Sequence, residues 1–379
     1  MASSTQEHHL HHLPTPYGTT TAPPPTPSAH SNHNLLSTSE AADSLSRLLH
    51  RIPPTLSLSF LGRRQSPPPT TVSPPLISLS DAKSIFRSNL LSAAKQYGFF
   101  QLTQHSISSH LAQSAESESA SIFNDEKQLY FPKNWPLGFD NDEDDDDDVV
   151  SGRSICLDES SSMELGFSSI HEFTSQMEKL GLELIEELAC AVGFENPVGE
   201  DRTRLYSLMW ISDTESGSSN MPLSPGRVYP YVVGLNYQIR CRKYSMLADS
   251  SWVSVTPQVD SVMVTLGDIA QVWSNGKVKK VRGRPVPITY GEINSGSNSH
   301  CLSMTLLVTL AHENTVSPLL PIKSPSLSED DDGLGNNDSK TIAVEEESRM
   351  FNSFSFDDYA WRVYHERLIL KDPLVRYRA

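Results

Sequence analysis

Long apolar runs, paired cysteines and clustered positive charge are all scarce in this chain, and each scarcity narrows the choices. No stretch approaches the roughly 20 apolar residues that a membrane helix needs. The four cysteines, Cys156, Cys190, Cys241 and Cys301, are scattered with no C-x-x-C pair. That pattern fits neither a disulfide framework nor a zinc ribbon, and it suits a reducing compartment. Apolar residues make up 37% of the 379, so part of the chain is expected to lie outside any core. Lys and Arg number 30 against 46 Asp and Glu, a formal charge of −16. Such a balance disfavours binding to nucleic-acid backbones or anionic membranes, where counterion release needs clustered Lys and Arg. Asp140, Asp142, Glu143 and the run Asp144 to Asp148 supply eight of the negatives. The N-terminus lacks the charged-then-apolar pattern of a secretory signal. Its opening, Met1-Ala2-Ser3-Ser4-Thr5, shares the Ser/Thr bias of organellar transit peptides, but residues 1–45 contain no arginine. The expected location is cytoplasmic, with the transit peptide as the alternative.

What is present falls into four segments. Residues 1–75 are rich in Pro, Ser, Thr and His and bury too little apolar surface to offset their ordering entropy, so a disordered tail is expected. The tail holds seven of the thirteen histidines, including His8, His9, His11 and His12, which read as an incidental polar tract or as a metal-catching one. A short helix is plausible from Ser39 through Leu49. Residues 76–200 read as an α/β unit. Leu76-Ile77-Ser78-Leu79 predicts a strand, Ser80-Asp81 a helix cap, and Phe99-Phe100-Gln101-Leu102 a second strand. Helices are expected through Ile85, Leu90, Leu91 and Ala94 up to Gly98, around Ser109 to Phe123, and from Ile170 to Val192, where Phe173, Met177, Leu180, Leu184 and Leu188 recur at helical intervals before Gly193. The stretch 124–162 reads as a solvated loop carrying the acidic run. Residues 201–320 change texture to short β runs: Arg204 to Ile211, Val232 to Ile239, Trp252 to Val255, Ser261 to Leu266 and Cys301 to Leu310. Ser274-Asn275-Gly276 predicts a tight hairpin, because Asn-Gly readily takes positive φ. The last segment, 321–379, is a polar loop followed by a helix over Phe354 to Tyr364. Helices first and then many short strands indicate an α+β chain built on a jelly roll.

These residues resemble the plant 2-oxoglutarate/Fe(II)-dependent dioxygenases, the family of gibberellin oxidases, flavonoid oxygenases and isopenicillin N synthase. Leu76 to Leu79, Gly98-Phe99-Phe100-Gln101-Leu102 and His105 are similar to the family's N-terminal part. Leu235-Asn236-Tyr237, Trp252-Val253, Leu266-Gly267-Asp268 and Val272-Trp273-Ser274-Asn275-Gly276 are similar to its jelly-roll core. Phe354 to Arg378 is similar to its C-terminal helix. The resemblance implies a double-stranded β-helix that holds Fe(II) through a His-x-Asp pair and a distal His. It also implies an Arg-x-Ser anchor for 2-oxoglutarate.

The ligands themselves are wanting. No histidine is followed two places later by Asp or Glu. Only fifteen residues separate Asn236 from Trp252, so the hairpin that carries His-x-Asp in relatives is expected to be missing there. The distal histidine would fall seven residues beyond Gly276, at Gly283. The Arg-x-Ser triplet is matched by Cys301-Leu302-Ser303, and the tyrosine two places after the asparagine is Gln238. Asn236 and Ser303 remain as vestigial cofactor-binding positions; no catalytic residue and no metal ligand is assigned. His300, His312, Asp249 and Asp268 are the local candidates for a rebuilt site, with Asp268 more simply closing a turn. Arg240, Arg242 and Lys243, with Lys277, Lys279, Lys280, Arg282 and Arg284, form a basic patch, read as an anion or acidic-partner site or as a solvated face. No glycine-rich phosphate loop and no Gly-x-Ser-x-Gly elbow occurs.

Two functions follow as expectations. One is a non-catalytic binding or regulatory homologue, a monomer without Fe(II) or 2-oxoglutarate, whose partner is an unknown protein or small molecule and neither nucleic acid nor membrane. The other is an active 2-oxoglutarate-dependent oxidoreductase on a plant hormone or phenolic metabolite, which would use both cofactors. The absent hairpin would leave an exposed sheet edge beside Arg240 to Lys243, a surface for contact.

Overall fold

Strands are formed where β-branched and aromatic residues meet partners of the same kind, and two sheets result. The computed structural model describes residues 43, 45, 70–124, 154–197, 204–215, 228–249, 251–288, 300–319, 349–366 and 371–379. The acidic run at 140–148, the polar segment 323–348 and most of the N-terminal tail lie outside the described residues. The elements, in chain order, are β1 (Thr70–Thr71), β2 (Leu76–Ser78), α1 (Lys83–Gln96), β3 (Phe99–Thr103), α2 (Ser109–Asn124), β4 (Ser154–Leu157), α3 (Glu159–Glu164) and α4 (Ser168–Val192). They continue with β5 (Leu205–Glu215), β6 (Val233–Tyr237), β7 (Tyr244–Ala248), β8 (Ser251–Val255), β9 (Val262–Leu266), α5 (Asp268–Trp273), β10 (Val281–Pro287) and β11 (His300–Leu310). The chain ends with β12 (Thr315–Val316), β13 (Phe354–Ser355), α6 (Phe356–His365) and a 3₁₀ turn (Pro373–Tyr377).

The large sheet has the order β2-β3-β9-β6-β11-β5-β4 and the small sheet β1-β8-β7-β10. A two-Greek-key jelly roll places its first, eighth, third and sixth strands in one sheet, and its second, seventh, fourth and fifth in the other. The run β5-β11-β6-β9 matches the first set, and β10-β7-β8 matches the last three of the second. The jelly roll is therefore present, and the shortfall lies elsewhere than expected. Residues 237–251 lack no hairpin: they connect β6, the third strand, to β7 and β8. What is not formed among the described residues is the second strand, between β5 and β6, which would flank β10. The hairpin was expected between Asn236 and Trp252 because the local pattern around Asn236 is similar to the strand that precedes His-x-Asp in relatives. Hydrogen-bonded neighbours, not local pattern, decide the order, and β5 holds the first place with eleven register pairs to β11.

Other readings shift as well. Order begins before Leu76, since Thr70 and Thr71 pair in parallel with Val253 and Ser254. The stretch expected as a solvated loop contains β4, whose Ile155, Cys156 and Leu157 are buried against β5. Asp158 then caps α3, its Oδ1 accepting from Ser161 N at 2.7 Å. Ser80 and Asp81 do not cap α1; Ala82 holds that place without a side-chain bond. Asn275 and Gly276 do take positive φ, 51° and 81°, but they turn α5 into β10 and join no two strands of a hairpin. Val272 and Trp273 are accordingly helical. Strands β7 and β10 had no sequence reading.

Helix α4 packs on the outer face of the large sheet as its apolar spacing requires. Phe173, Met177, Leu184 and Leu188 are all buried, and the Phe173 ring meets Tyr237 edge-on at 6.2 Å. Gly181 permits the close approach: a Cβ there would sit 2.7 Å from Val308 Cγ2 and 3.3 Å from Leu235 Cδ1. The even-numbered residues of β11 thus face the helix. Ser303, Thr305, Leu307 and Thr309 face the other sheet, because side chains alternate along a strand. The space between the two sheets is where the site must be sought.

Candidate ligand-binding site

Asn236 and Ser303, the two positions matched by motif, do meet in this interior. Asn236 is 2% exposed, and its Nδ2 lies 2.8 Å from Met304 O, 3.1 Å from Thr305 Oγ1 and 3.3 Å from Ser303 Oγ. Gln238 Nε2 donates to Asn236 Oδ1 at 2.5 Å. The Asn236 amide is thus satisfied by protein on both ends and has little left to offer a ligand. Gln238 keeps one buried oxygen, Oε1, without a partner.

The distal-histidine position is altered in backbone as well as side chain. Gly283 adopts φ 70°, and the β10–β7 register shifts between Arg282 and Val286. A β-bulge thus replaces regular strand. Tyr231, 2% exposed, fills the adjoining space, its hydroxyl lying 2.9 Å from Val281 O and 3.0 Å from Gly283 O, to which it donates. Burial raises the Tyr231 phenol far above its ordinary range, so it stays protonated. Its ring stands 3.2 Å from the place of a Gly234 Cβ, and its carbonyl 2.0 Å from that of a Gly267 Cβ, so both glycines make room for it.

The bulge also redirects Arg284. Its guanidinium reaches across from β10 to β5, where Nη1 donates to Ser212 Oγ at 2.9 Å and the carbon lies 4.0 Å over the Trp210 ring. No carboxylate pairs with it. Burial lowers its pKa to about 9, with Cys156 and Tyr231 opposing, so it remains charged at neutral pH. Trp210 is 4% exposed, and its indole Nε1–H has no acceptor. None of Arg284, Trp210, Ser212 and Tyr231 was singled out as a ligand group from sequence; Arg284 was read as part of a basic surface.

That surface is not one continuous face: Arg240, Lys277 and Lys279 are exposed, whereas Lys280 is internal. Lys280 is fully buried, with Nζ 2.8 Å from Asp268 Oδ1 and 2.6 Å from Asp372 Oδ1. Arg240 is ion-paired with Glu116, and Arg242 Nη1 donates to Leu302 O at 2.7 Å. These two arginines border a cleft of about 430 Å³ between α2 and the start of β11. A side chain long enough to cross between layers is drawn to any buried acceptor, which spacing along a strand does not reveal.

The residues do not fit an iron centre of the family's kind. No group of three His, Cys, Asp or Glu among the described residues is placed to hold a metal. Residues 216–232, the segment in the place of the His-x-Asp strand, contain none of these four residue types. Of the candidates for a rebuilt site, His312 Nδ1 sits 3.1 Å from Asp357 Oδ1 at the start of α6. Asp249 occupies a positive-φ turn, and Asp268 does not close a turn but opens α5, bonded to Tyr359 and Lys280. The His300 and Cys301 side chains lie outside the described residues; the Cys301 backbone pairs in register with Thr214.

Two facing sheets, β5-β11-β6-β9 and β8-β7-β10, with polar side chains such as Asn236, Ser303 and Thr305 between them and helix α4 on the outer face, define an oxygenase-type jelly roll. Curated proteins of similar sequence agree. The chain is 24% identical over 247 residues to gibberellin 2-beta-dioxygenase 1 of Arabidopsis thaliana, covering 55% of this chain and 72% of the relative. It is 23% identical over 327 residues to gibberellin 2-beta-dioxygenase 4 of the same plant, covering 78% and 91%. It is also 23% identical to 1-aminocyclopropane-1-carboxylate oxidase 2 of Doritaenopsis, covering 75% and 86%. Among solved structures, a rice dioxygenase for auxin oxidation has a TM-score of 0.52 at 16% identity, covering 80% of this chain and 99% of that one. JOX2, solved with 2OG, Fe and JA, has a TM-score of 0.55 at 14% identity, covering 88% and 97%. No protein-family model matches the chain. In sequence and in fold the chain is thus similar to the 2-oxoglutarate/Fe(II)-dependent dioxygenases.

Proposed function

We propose that this chain is a non-catalytic binding or regulatory homologue of these dioxygenases that has lost its iron and 2-oxoglutarate ligands. One observation carries the reading: both places that should supply metal ligands lack them. The distal position is Gly283 in a bulge, and residues 216–232 hold no His, Cys, Asp or Glu. Metal sites need ligand number and geometry together, and neutral hydrogen-bonding groups such as Asn236 and Ser303 replace neither. The second reading, an active oxidoreductase on a plant hormone or phenolic metabolite, draws support from the hormone-oxidising names of its relatives. Function nonetheless resides in the site rather than the fold.

The test is succinate formation from 2-oxoglutarate with Fe(II), ascorbate and oxygen. The full chain is compared with a variant in which His8, His9, His11 and His12 are serine, which removes the histidine tract as a metal trap. Background rates in both support the proposal. Iron-dependent succinate that survives the quadruple substitution overturns it.

A further inference from the structure

The arginine that relatives place two residues before the sheet serine is Cys301 here, yet an arginine still enters the same interior. Ser303 is directly opposite Ser212 in the β11–β5 register. Paired residues on neighbouring strands have Cα atoms only about 5 Å apart. Arg284 donates to Ser212 from the opposite sheet. Its guanidinium has therefore been brought, by another route, beside the Ser303 end of this interior.

The site is built but incomplete. A guanidinium carries five N–H donors. Here one bond goes to Ser212 Oγ, and no acid is paired with the remainder. A half-buried charge without a counter-ion is unfavourable, and leaving a second donor nearby unbonded adds to that. The second donor is the Trp210 indole N–H, buried and without an acceptor, on the ring that the guanidinium covers at 4.0 Å. Arg284 is only partly buried, so a solute can reach it. Two unfilled donors and an unneutralised positive charge call for a compact anion with two acceptor oxygens.

We propose that Arg284, with Ser212 and the Trp210 indole, forms an anchor for the carboxylate of a small organic acid. The inference rests on the binding part of the function proposed above and needs no metal. It is therefore tested with metal removed, so that failure here is distinct from detection of turnover there.

The experiment is calorimetric titration of the full-length protein in EDTA with 2-oxoglutarate, phenylacetate and sulfate, followed by the Arg284→Met and Arg284→Lys variants. The wild type should bind one of the two acids and hold it more tightly than sulfate, and that acid should raise its melting temperature. Arg284→Met should weaken binding roughly tenfold or more, the loss of a charge-assisted pair. It should also remove the ligand's effect on melting without lowering the melting temperature of the free protein, because an unpaired half-buried charge has gone. Arg284→Lys should bind more weakly than wild type, because the bidentate fork is lost. A preference for 2-oxoglutarate marks the anchor as a diacid site; a preference for phenylacetate marks it as an aromatic-acid site. Binding of neither acid, equal binding by Arg284→Met, or equal affinity for sulfate overturns the proposal.

Discussion

Position 283 shows side chain and backbone differing together at the place matched to the distal histidine of relatives. Had the histidine merely been replaced, the strand would remain regular and the reverse substitution would be tolerated. At φ 70° within a bulge, an L-residue is strained. Gly283→His is expected to lower stability by about 1–2 kcal/mol, the cost of left-handed backbone, and to bind no iron. Chemical denaturation and metal analysis of the variant check both outcomes. Lys280 makes the opposite case, a titratable residue held for stability. It is fully buried between Asp268 and Asp372, and Tyr359 adds a bond to Asp268 at 2.7 Å. Lys280→Met takes the cation from Asp268 and leaves Asp372 only the more distant Arg282 and Arg378, an expected loss of about 3–5 kcal/mol. Burial alone would raise the Asp372 pKa, but Lys280 outweighs it and holds the carboxyl below its ordinary value of 3.8. Its contribution to stability is thus present above that value and is lost as pH falls through the lower folded-state value. Melting temperature against pH should fall below about pH 4 in the wild type and show a weaker Asp372 component in Lys280→Met.

At the level of elements, β10 illustrates what happens to a strand that has lost a neighbour. It forms the outer edge of the small sheet, and unpaired edges invite association. The bulge at Gly283, the prolines Pro285 and Pro287, and the Tyr231 hydroxyl on the Val281 and Gly283 carbonyls all blunt it. The contact surface expected from a missing hairpin is thus guarded on this side. Replacing Pro285 and Pro287 with threonine should promote concentration-dependent association, visible by light scattering; a mass unchanged from wild type at high concentration would remove the guarding role. The same features explain what could be read in advance. Helices α1, α2 and α4 announced themselves through apolar spacing and through Gly98 and Gly193 at their ends. Strand β10, Val-Arg-Gly-Arg-Pro-Val-Pro, carries a glycine and two prolines, and its identity as a strand comes from pairing with β7 rather than from local preference. Asn236 and Ser303 were legible because each belongs to a short motif. The Arg284–Ser212–Trp210 group was not, because Arg284 lies more than seventy residues beyond the other two and meets them only when two sheets face each other.

At the scale of the molecule, the two ends of the ordered chain are tied together by charge. Asp43 is 4% exposed; Arg376 Nη1 and Tyr377 Oη each lie 2.7 Å from its carboxylate, and Arg362 Nε lies 3.8 Å away. Arg362 in turn donates to Pro373 O at 2.7 Å, which fixes the final 3₁₀ turn. The tail expected to be dispensable to residue 75 therefore supplies a buried anion to the C-terminal region. Removing residues 1–36 is expected to leave the melting temperature unchanged, while removing 1–69 should lower it, because Arg362 and Arg376 lose their counter-ion inside the fold. Asp43→Asn isolates the charge from the rest of the segment. It should cost about 3 kcal/mol, in the range for breaking a buried pair. Guanidinium unfolding of the three proteins decides the matter. If Asp43→Asn and the 1–69 deletion unfold at the wild-type midpoint, the carboxylate is not what secures the C-terminal turn.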